Sequence, residues 1–225
     1  MANVTKTPEK KRIRRLLVNA ALSTLEKEGW KVARVRGGGK GRVRRITRGN
    51  KNLLAAIRTS QDEYIAFPRT DDDSAWATLS EVDVVVAAAV DDARNPKFAQ
   101  VHMFDAGDLR QRFDRAYAAR RAAGHTIPVG RGVWVSLYHE EATDPVGRVG
   151  AGIGLANPPI ARIPLDAVEA PGNGAQVAPP TQPPTWAAGA SDDDDDEPLT
   201  IAQAKTRLAR TLGVDPSSIK ITVEA

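Results

Sequence analysis

The chain has 225 residues, of which 41% are hydrophobic, 27% are charged and 5% are aromatic, and it contains no cysteine. These proportions are ordinary for a globular protein. The absence of cysteine excludes disulfides, cysteine-based zinc sites and a thiol nucleophile. The most apolar stretch, residues 82–90, is too short to cross a bilayer, and the basic start lacks the apolar run of a secretory signal. We therefore expect a cytoplasmic protein without membrane contact.

The formal net charge of +4 conceals a strong asymmetry along the chain. Residues 1–51 carry 16 Lys and Arg against three acids, a net charge of +13, which leaves 16 bases and 25 acids in the remainder, a net charge of −9. Two halves of opposite sign indicate a polyanionic partner for the basic half, or contact between the halves.

The first half of the chain predicts one helix followed by strands. Apolar residues recur at three- and four-residue spacings over residues 8–28, and Gly29 ends the pattern. Strands are expected at residues 30–35, 42–47, 52–59, 63–68 and 82–90. The last of these is a continuous Val-rich run, typical of a strand that is buried on both faces.

The second half predicts a strand at residues 98–104, a helix at 105–123 that Gly124 ends, and a strand at 133–138. The Gly-rich chain beyond them is expected to be irregular. The predicted organisation is therefore an α/β domain over residues 1–168, a disordered Pro-rich and acidic linker over 169–198, and a helix–strand module over 199–225. This module is too small to be stable alone, so we expect it to dock on the domain, dimerise or fold on a protein partner.

Two potential catalytic signatures have simpler explanations. The glycines at residues 37–41 surround Lys40, but a phosphate-binding P-loop needs Ser or Thr after the lysine and a helix behind it. A hairpin turn is the favoured interpretation. The three histidines, His102, His125 and His139, show no metal-binding spacing and are expected to be structural.

Acidic residues stand at the predicted strand ends, among them Asp83, Asp91 and Asp105. Carboxylates at strand ends can hold Mg²⁺, since hard cations prefer oxygen ligands. Aspartate is also frequent there because its side chain hydrogen-bonds to nearby backbone and favours turns. We favour the conformational role for these three residues.

The basic N-terminal quarter is the strongest functional signal. Lys and Arg side chains near phosphates release condensed counterions, so a basic surface gains affinity for nucleic acid without reading its sequence. The alternative is a solvated basic face that the chain's own acidic run at residues 192–197 engages. The candidate nucleic-acid-binding residues are Lys10, Lys11, Arg12, Arg14, Arg15, Arg34, Arg36, Lys40, Arg42, Arg44, Arg45, Arg48, Lys51 and Arg58.

The order of elements over residues 8–118 resembles the restriction-endonuclease-like, PD-(D/E)XK, nuclease core. The local likeness lies in residues 54–60, Leu-Ala-Ala-Ile-Arg-Thr-Ser, followed by Trp76 and by Asp83 at the start of the Val-rich run. The resemblance implies a mixed central sheet flanked by helices. Ala56 stands where the family has an acidic metal ligand and Arg58 where it has the catalytic lysine, so the resemblance implies an inactive copy.

Three functional hypotheses remain. The leading one is a nucleic-acid-associated protein that binds the phosphate backbone without catalysis and without a cofactor. The second is a metal-dependent nuclease in which Asp83, Asp91 and Asp105 hold Mg²⁺. The third is an adaptor that recruits a protein partner through residues 199–225.

Overall fold

The computed structural model describes residues 7–35, 43–128 and 130–169. These residues form a mixed α/β fold with a six-stranded mixed sheet, a two-stranded sheet and helices. The turn expected at 37–41, nearly all of the linker and the whole module at 199–225 lie outside the described residues. Within the described ranges, none of the helices has the length and apolar content that a bilayer span requires.

The element bounds agree with the sequence for most of the chain. The helices are Pro8–Lys27 (α1), Ala106–Ala122 (α2), Ile153–Ala156 (α3) and Leu165–Glu169 (α4). The strands are Lys31–Arg34 (β1), Val43–Arg48 (β2), Lys51–Ser60 (β3), Tyr64–Pro68 (β4), Val84–Val90 (β5), Phe98–Asp105 (β6), Gly132–Ser136 (β7) and Ala161–Pro164 (β8). Every strand and both long helices predicted within these ranges are confirmed. The expectation that the chain is irregular after β7 was wrong, because β8 and α4 lie there.

Helix α1 begins and ends where its sequence provides the signals. The Thr7 hydroxyl accepts a hydrogen bond from the Lys10 amide at 3.3 Å, and Pro8 occupies the first turn, where a missing N–H costs nothing. At the other end Gly29 adopts a φ of +82°, a left-handed conformation that glycine reaches without strain.

The large sheet has the strand order β1-β2-β3-β5-β6-β8. Strands β1, β2 and β3 form an antiparallel meander, β5 runs parallel to β3, and β6 and β8 continue antiparallel. From Val85 to Val90 every β5 side chain is at most 1% exposed. The prediction of a strand buried on both faces is confirmed.

Side-chain alternation divides the core between the two faces of this sheet. Ala55 and Ile57 of β3 pack against α1, whereas Ala56 between them packs on the side of α2. The α1 side also includes Trp30, and the α2 side includes Phe113. The sheet is therefore the middle layer, with a helix on each face.

Strand β4 leaves the large sheet, although only a short turn separates it from β3. It pairs antiparallel with β7, and its Ile65 and Phe67 face the α2 core. The Phe67 and Phe113 rings meet edge to face with centroids 5.3 Å apart, which favours this packing beyond simple area burial. The two-stranded sheet thus covers the part of the central sheet that α2 leaves open.

The Gly-rich segment after β7 is ordered by close packing against α2. Gly150 has a φ of +81°, and a side chain there would collide with the backbone carbonyl of Arg112. Gly154 lies beneath the Tyr138 ring, where a Cβ atom would come within 2.9 Å of the ring edge. These glycines permit close approach of backbone, so they need no ligand to explain them.

We expect Gly150→Ala to lower the free energy of unfolding by about 1–3 kcal/mol, because the substitution combines a left-handed backbone with a steric collision. Gly147→Ala is the matched control, since a Cβ atom at Gly147 meets nothing within 4 Å. It should change stability by less than about 0.5 kcal/mol. Chemical denaturation of both variants measures the difference, and equal stabilities would contradict the packing described for this segment.

Candidate functional site

Hydrogen bonds at both ends fix the direction of α1 across the sheet. The Gln61 side-chain amide, just after β3, donates to the Lys10 carbonyl at 2.9 Å. At the other end Arg48 donates to the Glu28 carbonyl at 2.9 Å and lies over the Trp30 ring, 4.5 Å from its centroid. Helix α1 therefore runs antiparallel to β3, and its basic first half lies at the end of the sheet where β3 stops.

Five candidate cations occupy that first half. The buried stripe of α1 faces the sheet, so the polar residues project along its two flanks and its outer surface. Arg12 lies on the flank that faces β6 and α4. At about 100° per residue, Lys11 and Arg14 belong to the opposite flank, toward β1 and β2. The α1 group is Lys10, Lys11, Arg12, Arg14 and Arg15.

Strands β1 and β2 add Arg34 and Arg44, which are cross-strand partners. Arg34 is two residues from Val32, and Arg44 is two residues from Ile46, so each arginine shares a face with a residue of the core under α1 and lies on the α1 side of the sheet. We call this pair the hairpin group. Arg44 is opposite Ala55, six residues before Gln61, so the two groups together extend over about 20 Å along the strand direction, from Arg44 to the Lys10 end of α1.

Other candidate cations lie elsewhere. Arg45 is adjacent to Arg44 in sequence but points to the opposite face, where it donates to the Asn52 side chain at 3.2 Å. Arg48 and Lys51 lie at the far end of the β2–β3 hairpin, and Arg48 is engaged at the end of α1. Arg36, Lys40 and Arg42 are outside the described residues.

Arg58 lies on the α2 side of the sheet. Its guanidinium stacks 4.3 Å from the centroid of the Phe67 ring and donates to the Ile57 carbonyl at 3.1 Å. Burial lowers the pKa of Arg58 from 12.5 to about 10, so the side chain stays charged at neutral pH. This arginine packs behind the sheet and does not belong to the same surface as the α1 group.

Each of the three strand-end carboxylates accepts a backbone hydrogen bond. Asp83 accepts from the Leu54 amide at 2.7 Å, and Asp105 caps α2 by accepting from the Asp108 amide at 2.9 Å. Asp91 accepts from the amides of Lys97 and Phe98 at 3.0 and 2.9 Å. These bonds fit the conformational role that aspartate has at turns and helix starts.

The same three carboxylates do not meet at one point. Asp83 and Asp105 flank one end of β5 and β6, where the Ala106 amide donates to the Asp83 carbonyl at 3.0 Å. Asp91 follows the other end of β5, eight residues from Asp83, or about 26 Å at the rise of a β-strand. In the parts of the chain that the structure describes, no group of three or more His, Asp or Glu side chains is placed to hold a metal ion.

His102 is fully buried and its ring nitrogens are both engaged. Nδ1 lies 2.9 Å from the Asn157 carbonyl, to which it must donate, so the Tyr138 hydroxyl donates to Nε2 at 2.9 Å. Burial lowers the pKa of His102, an effect that the bond to Asn157 partly opposes. This arrangement is that of a satisfied core histidine.

Sequence reasoning missed a cleft on the Arg12 flank of α1. It measures about 540 Å³ and lies between the start of α1, the β5–β6 turn and the start of α4. Arg94 and Lys97 of that turn line it, together with Arg12. The available signal was a basic Arg-Asn-Pro-Lys turn between two apolar strands, and its relation to α1 depends on tertiary packing.

No protein-family model, curated protein or solved structure matches this chain. Among the fourteen candidate cations, nine lie on the α1 side of the sheet: seven in the α1 and hairpin groups, and Arg48 and Lys51 at the far end of the β2–β3 hairpin. Of the remaining five, two are on the α2 side and three are outside the described residues. The structure therefore reduces a scattered basic sequence to one surface that spans about 20 Å.

We expect the stability contribution of Asp91 to depend on pH. Burial would raise the pKa of Asp91, but hydrogen bonds from the Phe98 and Lys97 amides outweigh it, and the pKa lies below its ordinary value. The stabilisation is therefore complete above the unfolded pKa of about 3.9 and is lost as the pH falls through the folded value.

Denaturation of the wild type and Asp91→Asn between pH 7 and pH 2.5 tests this expectation. Both amides donate to Oδ1 of Asp91, so the amide oxygen of the variant can still accept them, but it carries no charge. The stability advantage of the wild type should be constant above about pH 5 and shrink below about pH 4. A difference that is independent of pH would contradict a charged acceptor at this turn.

Proposed function

We propose that this chain binds nucleic acid through the α1 and hairpin groups and does so without catalysis. The observation that carries the proposal is the position of seven cations on one side of the sheet over about 20 Å. Adjacent phosphates on one strand of B-DNA are separated by about 3.4 Å along the helix axis. The surface therefore matches a run of about six phosphates.

Charge favours this partner over a neutral or basic one. Residues 1–51 have a net charge of +13, and the two groups on the α1 side belong to that segment. Phosphate contacts made by Lys and Arg position a nucleic acid without reading its bases. The expected binding is consequently strong at low salt and weakly dependent on sequence.

The proposed absence of catalysis rests on the residues around β3. Ala56 is completely buried between strands, so it offers no ligand to a cation. Two of the candidate metal ligands, Asp83 and Asp105, accept backbone hydrogen bonds. The third, Asp91, also accepts backbone bonds and is at the opposite end of β5. A Mg²⁺-dependent nuclease would need such groups to converge on one phosphate.

We also propose that the fold is a degenerate restriction-endonuclease-like core. The element order supports it, since α1 precedes the antiparallel β1-β2-β3 meander and β5 then runs parallel to β3. The segment between β3 and β5 carries β4 and a short 3₁₀ turn at Leu79–Glu81. The proposed likeness covers residues 8–118, from α1 into α2, and the elements after α2 extend the fold.

The salt dependence of binding tests the proposal. If six cations reach phosphates, the logarithm of the binding constant should fall against the logarithm of the salt concentration with a slope of about −5. The triple variant R14A/R34A/R44A should flatten the slope by up to about 3 units and weaken all sequences alike. Fluorescence anisotropy with labelled DNA and RNA measures both effects.

A charge-matched triple variant, K31A/R45A/R131A, is the control. Lys31 and Arg45 are on the face of the sheet away from α1, and Arg131 precedes β7. The salt-dependence slope of this control variant should stay within about one unit of the wild-type slope. Equal slopes for the two triple variants, or no binding at low ionic strength, would contradict the proposal. Cleavage with Mg²⁺ that disappears in Asp83→Ala would overturn its non-catalytic part.

A further inference from the structure

The cleft beside α1 combines an apolar lining with cations at its edge. Pro96, Phe98 and Pro164 provide partly exposed apolar surface above the buried Ile13 and Leu16, and the volume of about 540 Å³ is within the range of small-molecule sites. Arg12 lies on the α1 wall, and Arg94 and Lys97 lie on the opposite turn. Such a site suits a ligand with both an apolar, flat part and a negative charge.

Two of these cations have unused side chains. The backbone amides of Arg94 and Lys97 donate to Asp92 and Asp91, but no hydrogen bond or ion pair engages either side chain among the described residues. By contrast, Arg162 of β8 pairs with Asp91 at 3.4 Å. Arg94 and Lys97 can therefore contact an anion without breaking an existing contact.

The turn that carries them is held in shape before any ligand arrives. Asp91 binds two amides of the turn, and Asp92 accepts from the Arg94 amide at 2.7 Å. Arg162 lies 3.6 Å from the centroid of the Phe98 ring and fixes that side chain at the edge of the cleft. A preorganised turn lowers the entropy that binding would otherwise cost.

The cleft is also next to the proposed phosphate-binding surface. Helix α1 borders both, with Arg12 on the cleft flank and Lys11 and Arg14 on the flank toward β1 and β2. A helix with its side chains is about 10–12 Å wide. A strand that follows the basic surface can therefore cross α1 and reach the cleft within a few nucleotides.

We propose that this cleft takes one unstacked nucleotide of a single strand, with its base against Phe98 and the neighbouring prolines and its phosphate between Arg94 and Lys97. The inference rests on the proposed function and adds a preference for single strands. A duplex keeps its bases stacked inside and offers only phosphates to the edge of the cleft. Stacking of one base on an aromatic side chain, here Phe98, is typically enough to raise affinity by about tenfold.

The test compares a labelled single strand with a duplex of the same sequence and length at one salt concentration. The wild type should bind the single strand about tenfold more tightly. The double variant R94A/K97A should lose most of that preference while it retains duplex binding within about threefold. Both side chains are free of partners in the described chain, so circular dichroism and the melting temperature should match the wild type.

A variant that removes a negative charge from the cleft provides the second part of the test. Asp166 lines the cleft, and Asp166→Asn removes a negative charge from it. Binding of the single strand should strengthen by a few fold, with little change for the duplex.

Three outcomes would overturn the inference, and they separate it from the proposed function. A wild type without single-strand preference, or an R94A/K97A variant that weakens both forms equally, leaves the phosphate-binding surface intact and removes the nucleotide cleft. Failure of the wild type to bind either form at low salt removes both.

Discussion

The apolar contact between α1 and the central sheet is the interaction on which the rest of this structure depends. Four large side chains, Ile13, Leu16, Leu17 and Leu25, are buried there, and full burial of each contributes about 1.5–3 kcal/mol. Their sum is comparable to the net stability of a whole domain, about 5–15 kcal/mol. The same contact turns the polar side of α1 outward, so the placement of the basic residues follows directly from packing of the apolar ones.

The sequence was sufficient to predict the elements whose signals lie within one short segment of the chain. The spacing of apolar residues gave α1, the Val-rich run gave β5, and Gly29 and Gly124 marked helix ends that the structure has. Strand β8 and helix α4 were missed because they have four and five residues and follow a Gly-rich segment without periodicity. Their positions depend on pairing with β6 and packing against α1, which are contacts between segments far apart in the chain.

The candidate site likewise combines features that the sequence predicts with positions that only the fold determines. Composition identifies the basic N-terminal quarter, but only the register decides which side each residue occupies. Arg44 and Arg45 are neighbours in sequence and lie on opposite faces, since adjacent residues of a strand alternate. Likewise, Asp83 and Asp91 look equivalent as strand-end acids, yet the length of β5 separates them. The cleft was invisible to sequence reasoning because three separate elements form its walls.

The most direct measurement of the central claim is hydrogen exchange of the backbone amides with and without a bound oligonucleotide. If the α1 side of the sheet is the binding surface, exchange should slow in the first half of α1 and around Arg34 and Arg44. Exchange in α2 and β7, on the other side of the sheet, should remain unchanged. Protection concentrated in α2 or around the exposed Trp134 of β7, with α1 unaffected, would contradict the account.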